Sequence, residues 1–372
     1  MPFVMAFISG LASVVFLIPQ IIPLALKKHL VDEPSGSRKV HAHPVPNLGG
    51  VAIFSGFLLS SASCIPLQLL PEAGTLLSSG LILFMTGIKD DLIGLSPRVK
   101  FMSQLTASGI VAVVADLRIK TFYGFGNFVE LDYSGSIIIT VIFITGLINA
   151  YNLIDGIDGL AASLGLLFTI VYSVLFFEAG ELEWVMLALC FAGSLTGFLF
   201  FNVTPAKIFM GDSGSMLLGF MAAVFSLKFL GLCAAGAVDV FYIKPASACT
   251  IAVSIVIVPV FDTIRVFLLR ILKGKSPFYA DRSHLHHVLL SIGFTHISAG
   301  LILIGLNAVC TLVAILLHGL GDDVLICLLF LILLGFSGFI HVCCHKSNKK
   351  HSPFFKAQPA TCEDCAQVLS DR

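Results

Sequence analysis

Charge is scarce in this chain: Asp, Glu, Lys and Arg make up 12% of its 372 residues, against 57% hydrophobic residues and a mean hydropathy of +0.99. Soluble domains carry about a quarter charged residues, so a water-facing exterior cannot be assembled from this composition. Soluble-enzyme, disordered and coiled-coil readings fall away. An excess of either sign is also missing. Lys plus Arg number 22, as do Asp plus Glu, and no long basic stripe occurs, which leaves no basis for nucleic-acid binding. No basic stretch precedes the first apolar run and no small-residue cleavage pattern follows it. Phe3 to Ala25 therefore reads as a retained helix rather than a cleaved signal.

What the chain has in abundance is apolar runs near or above the ~18 residues that span lipid. After the first they fall near Val51 to Leu70, Leu76 to Ile88, Phe101 to Ala115, Ser136 to Ala150, Leu160 to Phe177 and Trp184 to Phe201, then Ser213 to Leu230, Ala248 to Leu272, Ala299 to Leu317 and Val324 to Cys343. The expected fold is an all-α integral membrane protein, a polytopic bundle of about eleven transmembrane helices occupying residues 1–345, with a polar, loose tail over residues 346–372. Pro66, Gly109, Gly165 and Pro259 inside these runs are tolerable because neighbouring helices can satisfy freed backbone groups. Placing the first connecting loop in the cytoplasm puts eighteen Lys and Arg inside and leaves Arg118, Lys120, Lys228 and Lys244 outside. The positive-inside bias then sets the amino terminus out and the carboxyl terminus in. Asp116 to Asp132 reads as a short outer hairpin. Six of the ten cysteines lie in or beside apolar runs, where Cys acts as a small hydrophobe.

Polar chemistry is concentrated in five loops on the inner side. The first holds Arg38, Lys39 and His41 and ends in Gly49-Gly50, which suits an anionic partner approached closely by backbone, or an ordinary Pro/Gly-rich turn. The second begins Lys89-Asp90-Asp91 and leads to Lys100; two carboxylates at a helix's carboxyl end oppose its macrodipole, and a divalent cation or a proton would relieve them. Lys100 is a candidate phosphate contact or an interfacial snorkelling side chain. The third places Asn149, Asn152, Asp155 and Asp158 within ten residues. That is costly near lipid unless they coordinate something. Leu166 stands where an EF-hand loop needs its final carboxylate, so calcium buffering is a poor reading.

In the fourth loop, Lys207 precedes Gly211-Asp212-Ser213-Gly214. The string also surrounds the nucleophile of chymotrypsin-like proteases, but here it opens an apolar helix, where Asp212 serves either as a cap or as a magnesium ligand beside a phosphate-attracting helix end. The fifth loop follows Asp262 and carries Arg282, His284, His286 and His287. If that stretch is helical, His284 and His287 share a face while His286 does not. The three imidazoles make a poor zinc site and a better set of phosphate and sugar contacts.

Taken in order and spacing from Asp32 to His287, the five loops resemble the polyprenyl-phosphate N-acetylhexosamine-1-phosphate transferase family, glycosyltransferase family 4. The Asp281-Arg282-Ser283-His284-Leu285-His286-His287 run looks like the WecA/TagO branch rather than the related MraY branch. The resemblance implies transfer of a sugar phosphate, N-acetylglucosamine 1-phosphate foremost, from a UDP-N-acetylhexosamine to a polyprenyl phosphate such as undecaprenyl phosphate, with release of UMP. The product would initiate cell-envelope polysaccharide synthesis. A bacterial inner membrane, a cytoplasmic active site, Mg2+ (or Mn2+) and scope for a homodimer come with it. Asp212 would be the chief metal ligand, with Asp90, Asp91 and Asn152 beside it; Asp90 or Asp91 would otherwise accept a proton. Lys100 would contact phosphate, and Asn149, Asn152, Asp155 and Asp158 would wall the nucleotide-sugar site. Arg282, His284, His286 and His287 would grip the nucleotide sugar, and Arg38, Lys39, His41 and Lys207 would add substrate contacts. From another class, an ion-coupled membrane transporter is the competing reading, since it too combines many helices with clustered acids.

Overall fold

The computed structural model describes residues 1–28, 30–32, 45–122, 130–236, 247–277, 279 and 283–350. Helices α1 (Pro2–Lys27), α2 (Gly49–Cys64), α3 (Ala73–Ile93), α4 (Pro97–Val114), α5 (Tyr133–Ile154) and α6 (Leu160–Glu178) are followed by α7 (Leu182–Asn202) and α8 (Gly211–Ala234). Then come α9 (Ala248–Ile255), α10 (Ile257–Leu272), α11 (Leu285–Ser291), α12 (His296–Leu316) and α13 (Asp322–Lys350). Two short antiparallel strands, β1 (Val31–Asp32) and β2 (Val45–Pro46), pinch the ends of the first inner loop together.

The chain is an all-α, multi-pass membrane protein. Among the described residues seven helices are long and apolar enough to cross a bilayer, and α9 with α10 would make an eighth as one bent span. Each of the eleven expected runs lies wholly or largely in a helix, but eleven crossings are not established. Helix α2 has only 16 residues, and α3 and α4, with Lys89, Asp90, Asp91, Arg98 and Lys100 at their ends, are not among the seven. The boundary expected after residue 345 falls inside α13, whose backbone stays helical to Lys350. No strand forms among the described residues of the segment expected as an outer hairpin; a single bond from Leu131 N–H to Lys120 O links its two sides.

Helix α8 is the axis of the bundle. It is apolar on all sides and buried along nearly its whole length, packed by α2, α3, α5, α6 and α9, as expected of a helix with no polar face. Its Phe225 meets the rings of Phe168, Tyr172, Phe176 and Trp184. The Tyr172 hydroxyl is satisfied by Ser226 at 2.7 Å. Burial inside a membrane thus comes from aromatic interlocking, since lipid offers little hydrophobic reason for helices to associate.

The apolar run Ala248 to Leu272 breaks after Ile255 and turns by 82°. Pro259 lacks the N–H that would bond to Ile255 O four residues earlier. Asn307 of α12 supplies it: its Nδ2 donates to Ile255 O at 2.8 Å and its Oδ1 accepts from Val258 N–H at 3.1 Å. One turn on, Thr311 Oγ1 donates to Ser254 O at 3.0 Å. Three backbone groups at the break thus find partners on α12, and α10 carries Asp262 to His284 and Leu285.

Candidate active site

The carboxyl ends of α3 and α5 and the amino ends of α4 and α8 converge at one end of the bundle. At the end of α3, Asp90 Oδ1 accepts from Leu95 N–H at 2.7 Å, while Oδ2 lies 3.0 Å from Lys100 Nζ on the first turn of α4. The same ammonium bonds to Asp212 Oδ2 on α8, so one lysine links acids from two helices. Asp212 Oδ1 accepts from Asn152 Nδ2 at 2.7 Å, and that amide also donates to Ser215 at 2.9 Å.

Asp91 points elsewhere. Its Oδ1 accepts from Asp212 N–H at 2.7 Å, and its Oδ2 accepts from Ser213 N–H at 3.1 Å and Ser213 Oγ at 2.8 Å. These N–H groups belong to the unbonded first turn of α8, whose own N-cap position holds Met210 and offers no side-chain acceptor. Asp212 does not take the cap role that the sequence left open for it beside the metal role; α3 caps the helix with Asp91. The amino end of α8 is also what relieves the carboxylate at the unfavourable end of α3. Such an approach requires glycine: a Cβ at Gly87 would run into the backbone of Ser213, and one at Gly50 into that of Gly214. Backbone bonds from Phe209 to Pro46, Gly49 to Phe209 and Gly50 to Met210, each 2.8 Å, join the end of the first loop to the fourth.

Asp155 lies just past α5. Its carboxyl meets no hydrogen-bond donor among the described residues, and burial, with the negative charge of Asp212, Asp91 and Asp158 added, pushes it up to about 7. Asp158 is directed differently: it faces His296 Nδ1 at 3.6 Å and accepts from Ala206 N–H at 3.4 Å, tying the third loop to the start of α12 and to the fourth loop. Asn149 donates to Gln104 on α4 at 2.8 Å. Lys207 is exposed and pairs with no acid of the cluster among the described residues.

The histidines do not sit as the helical spacing suggested. Helix α11 begins one residue after His284, so His284 and His287 do not share its face. Instead the rings form a run, His284 stacked on His286 at 5.7 Å and His286 tilted by 50° against His287 at 4.2 Å. His286 is buried, both ring nitrogens lack a partner among the described residues, and burial followed by His287 pushes it down to about 3, leaving it neutral. Its Nε2 edge rests on Gly156, where any Cβ would collide with the ring. Arg38, Lys39, His41 and Arg282 lie outside the described residues.

Among the described residues no three Asp, Glu, His or Cys side chains converge as a ready-made cation site. Mg2+, however, is commonly held by one or two carboxylates together with substrate phosphates. The donor set suits it: Asp90 and Asp212 share the Lys100 ammonium, and Asp91 and Asp155, near the same cluster, have no positive partner of their own among the described residues. Sequence reasoning did not single out Ser215, Gln104 or His296. Nothing in local spacing marks them, because each is recruited by an element distant in the chain.

Residues 74–230 match glycosyl transferase family 4. The chain is 35% identical over 360 residues to the probable undecaprenyl-phosphate N-acetylglucosaminyl 1-phosphate transferase of Bacillus subtilis, covering 95% of each chain. It is 35% identical over 283 residues to the decaprenyl-phosphate N-acetylglucosaminephosphotransferase of Mycobacterium tuberculosis, covering 70% of this chain and 69% of the relative. It is 28% identical over 304 residues to the undecaprenyl-phosphate alpha-N-acetylglucosaminyl 1-phosphate transferase of Escherichia coli, covering 80% and 77%. None of these relatives carries a transporter's name. With 35% identity and near-complete coverage of the Bacillus relative, the chain belongs to glycosyl transferase family 4.

Proposed function

We propose that this protein transfers N-acetylglucosamine 1-phosphate from UDP-N-acetylglucosamine to a polyprenyl phosphate, releasing UMP, at the cytoplasmic face of a bacterial inner membrane. The observation that carries the reading is the meeting of Asp90, Lys100, Asn152, Asp155 and Asp212 at the ends of apolar helices. There a lipid-borne phosphate and a dissolved nucleotide sugar can reach one another. An oxygen of the lipid phosphate attacks the phosphorus bearing the sugar; the bond from that phosphorus to the bridging oxygen breaks, and the bridging oxygen leaves with UMP. A phosphate monoester has a second pKa near 6, so the nucleophile is already largely ionised at neutral pH and no proton has to be removed. A covalent aspartyl intermediate is unnecessary.

The barrier is then the repulsion between two anions, and catalysis consists of positioning and charge neutralisation. Lys100 supplies one positive charge between Asp90 and Asp212. Asp212, with Asp90 or Asp155 beside it, would hold Mg2+ or Mn2+, with Asn152 orienting Asp212 and Asp91 fixing the end of α8; when bound, the cation neutralises phosphate charge. The histidine run and Arg282 would receive the nucleotide sugar.

The test uses purified protein, polyprenyl phosphate, Mg2+ and radiolabelled UDP-N-acetylglucosamine. Label is expected in the organic phase with an equal amount of UMP in the aqueous phase. Label entering lipid only from UDP-N-acetylgalactosamine would change the sugar and keep the reaction. No lipid-linked label from either donor would refute it.

A further inference from the structure

Asp262 takes no part in the chemistry above, yet it is completely buried and both of its oxygens are engaged. Oδ1 accepts from Arg265 Nη2 at 2.8 Å and from Leu285 N–H at 3.0 Å; Oδ2 faces His284 Nδ1 at 2.9 Å. Arg265 also donates to Ser283 O, holding the residue just ahead of the histidine. Anchoring a loop does not by itself call for a buried charge, which is often no more stabilising than apolar packing. What an ionised carboxylate does that an amide in its place need not is accept at both oxygens, which places a proton on Nδ1 and so settles the tautomer of the ring.

Arg265 already balances the Asp262 charge, so a neutral His284 leaves the buried group of three electrically balanced. With its proton on Nδ1, the neutral ring offers Nε2 as an acceptor. The two nitrogens lie on different edges of the ring. Nδ1 is turned to α10, which leaves Nε2 directed away from Asp262, with the ring stacked on His286 and His286 resting on Gly156 beside Asp155. Phosphate oxygens carry no proton for such a nitrogen to accept.

We propose that Asp262 is a positioning residue for the transfer, holding His284 so that Nε2 accepts from an O–H or N–H of the N-acetylhexosamine moiety. This rests on the function proposed above and assigns His284 to the sugar rather than to the diphosphate. In Asp262→Asn the amide donates to Nδ1 and drives the proton to Nε2, turning an acceptor into a donor. The expected result is a KM for UDP-N-acetylglucosamine raised roughly tenfold or more, with the KM for polyprenyl phosphate unchanged. His284→Ala should show the same loss, and the double variant should be no worse than His284→Ala alone. An unchanged KM for the sugar nucleotide, equal rises in both KM values, or losses that multiply in the double variant would each overturn the proposal. Should Asp262→Asn not fold, 15N NMR of histidine-labelled wild-type protein decides: a proton on Nδ1 of His284 with none on Nε2 supports the proposal, and a proton on Nε2, alone or together with one on Nδ1, overturns it. That measurement needs no turnover, so its failure is distinguishable from failure of the transferase reading.

Discussion

Asp90 and Asp91 are neighbours in the chain with divided duties. Asp90 shares Lys100 with Asp212, while Asp91 spends both oxygens on the first turn of α8. Removing charge at Asp212 leaves that cap intact, because Asp91 binds the Asp212 backbone and not its side chain. Asp212→Asn is therefore expected to lower transfer by roughly 10²–10³-fold, the usual cost of losing a charge-stabilising group, with unchanged membrane yield and melting temperature. Asp91→Asn should lose stability as well, by about 1–3 kcal/mol, since an amide turned toward N–H donors leaves some of them unmet. Equal effects of the two changes on melting temperature would contradict the division. Sequence alone brought out both acids, because paired carboxylates at a helix's carboxyl end are electrostatically unfavourable wherever they occur. Which of them joins Lys100 and which caps α8 was not legible, since Asp91 finds its partners 121 and 122 residues further along. The histidines show a similar limit: their chemistry was visible, but their arrangement depended on α11 starting after His284.

At the scale of elements, the bend between α9 and α10 positions Asp262 and with it the fifth loop. Asn307 meets both the carbonyl orphaned by Pro259 and the N–H of Val258. Asn307→Leu would strand these two backbone groups inside the bundle, at a cost of roughly 2–6 kcal/mol if each is left unmet. A clear drop in detergent melting temperature is expected, with transfer falling too as the histidine run loses its support; a melting temperature within a degree or two of wild type would remove Asn307 from this role. Pro259 was plain in the sequence and its tolerance by a neighbour was expected. The direction of the turn was not, because it is decided by an amide on α12, 52 residues from the carbonyl it serves.

For the whole molecule, apolar periodicity carried furthest. Every expected run seeds a helix, because hydrocarbon leaves the backbone little choice but internal bonding. The number of crossings is less legible, since short α2 and the charged ends of α3 and α4 blur the distinction between spanning lipid and packing on protein. Charge asymmetry predicts that a reporter fused at the carboxyl terminus reads as cytoplasmic and one inserted between Asp116 and Asp132 as external; the opposite result would reverse the orientation and place the acids outside. The meeting of Gly87 with Ser213 and of Gly50 with Gly214 has a mechanical consequence. Helices separated by layers of side chains can slide when a bilayer thickens or thins, but main chain seated on main chain has no such play. Strain from the surrounding lipid should therefore be absorbed at the periphery, while α2, α3 and the first turn of α8 travel as one rigid knot.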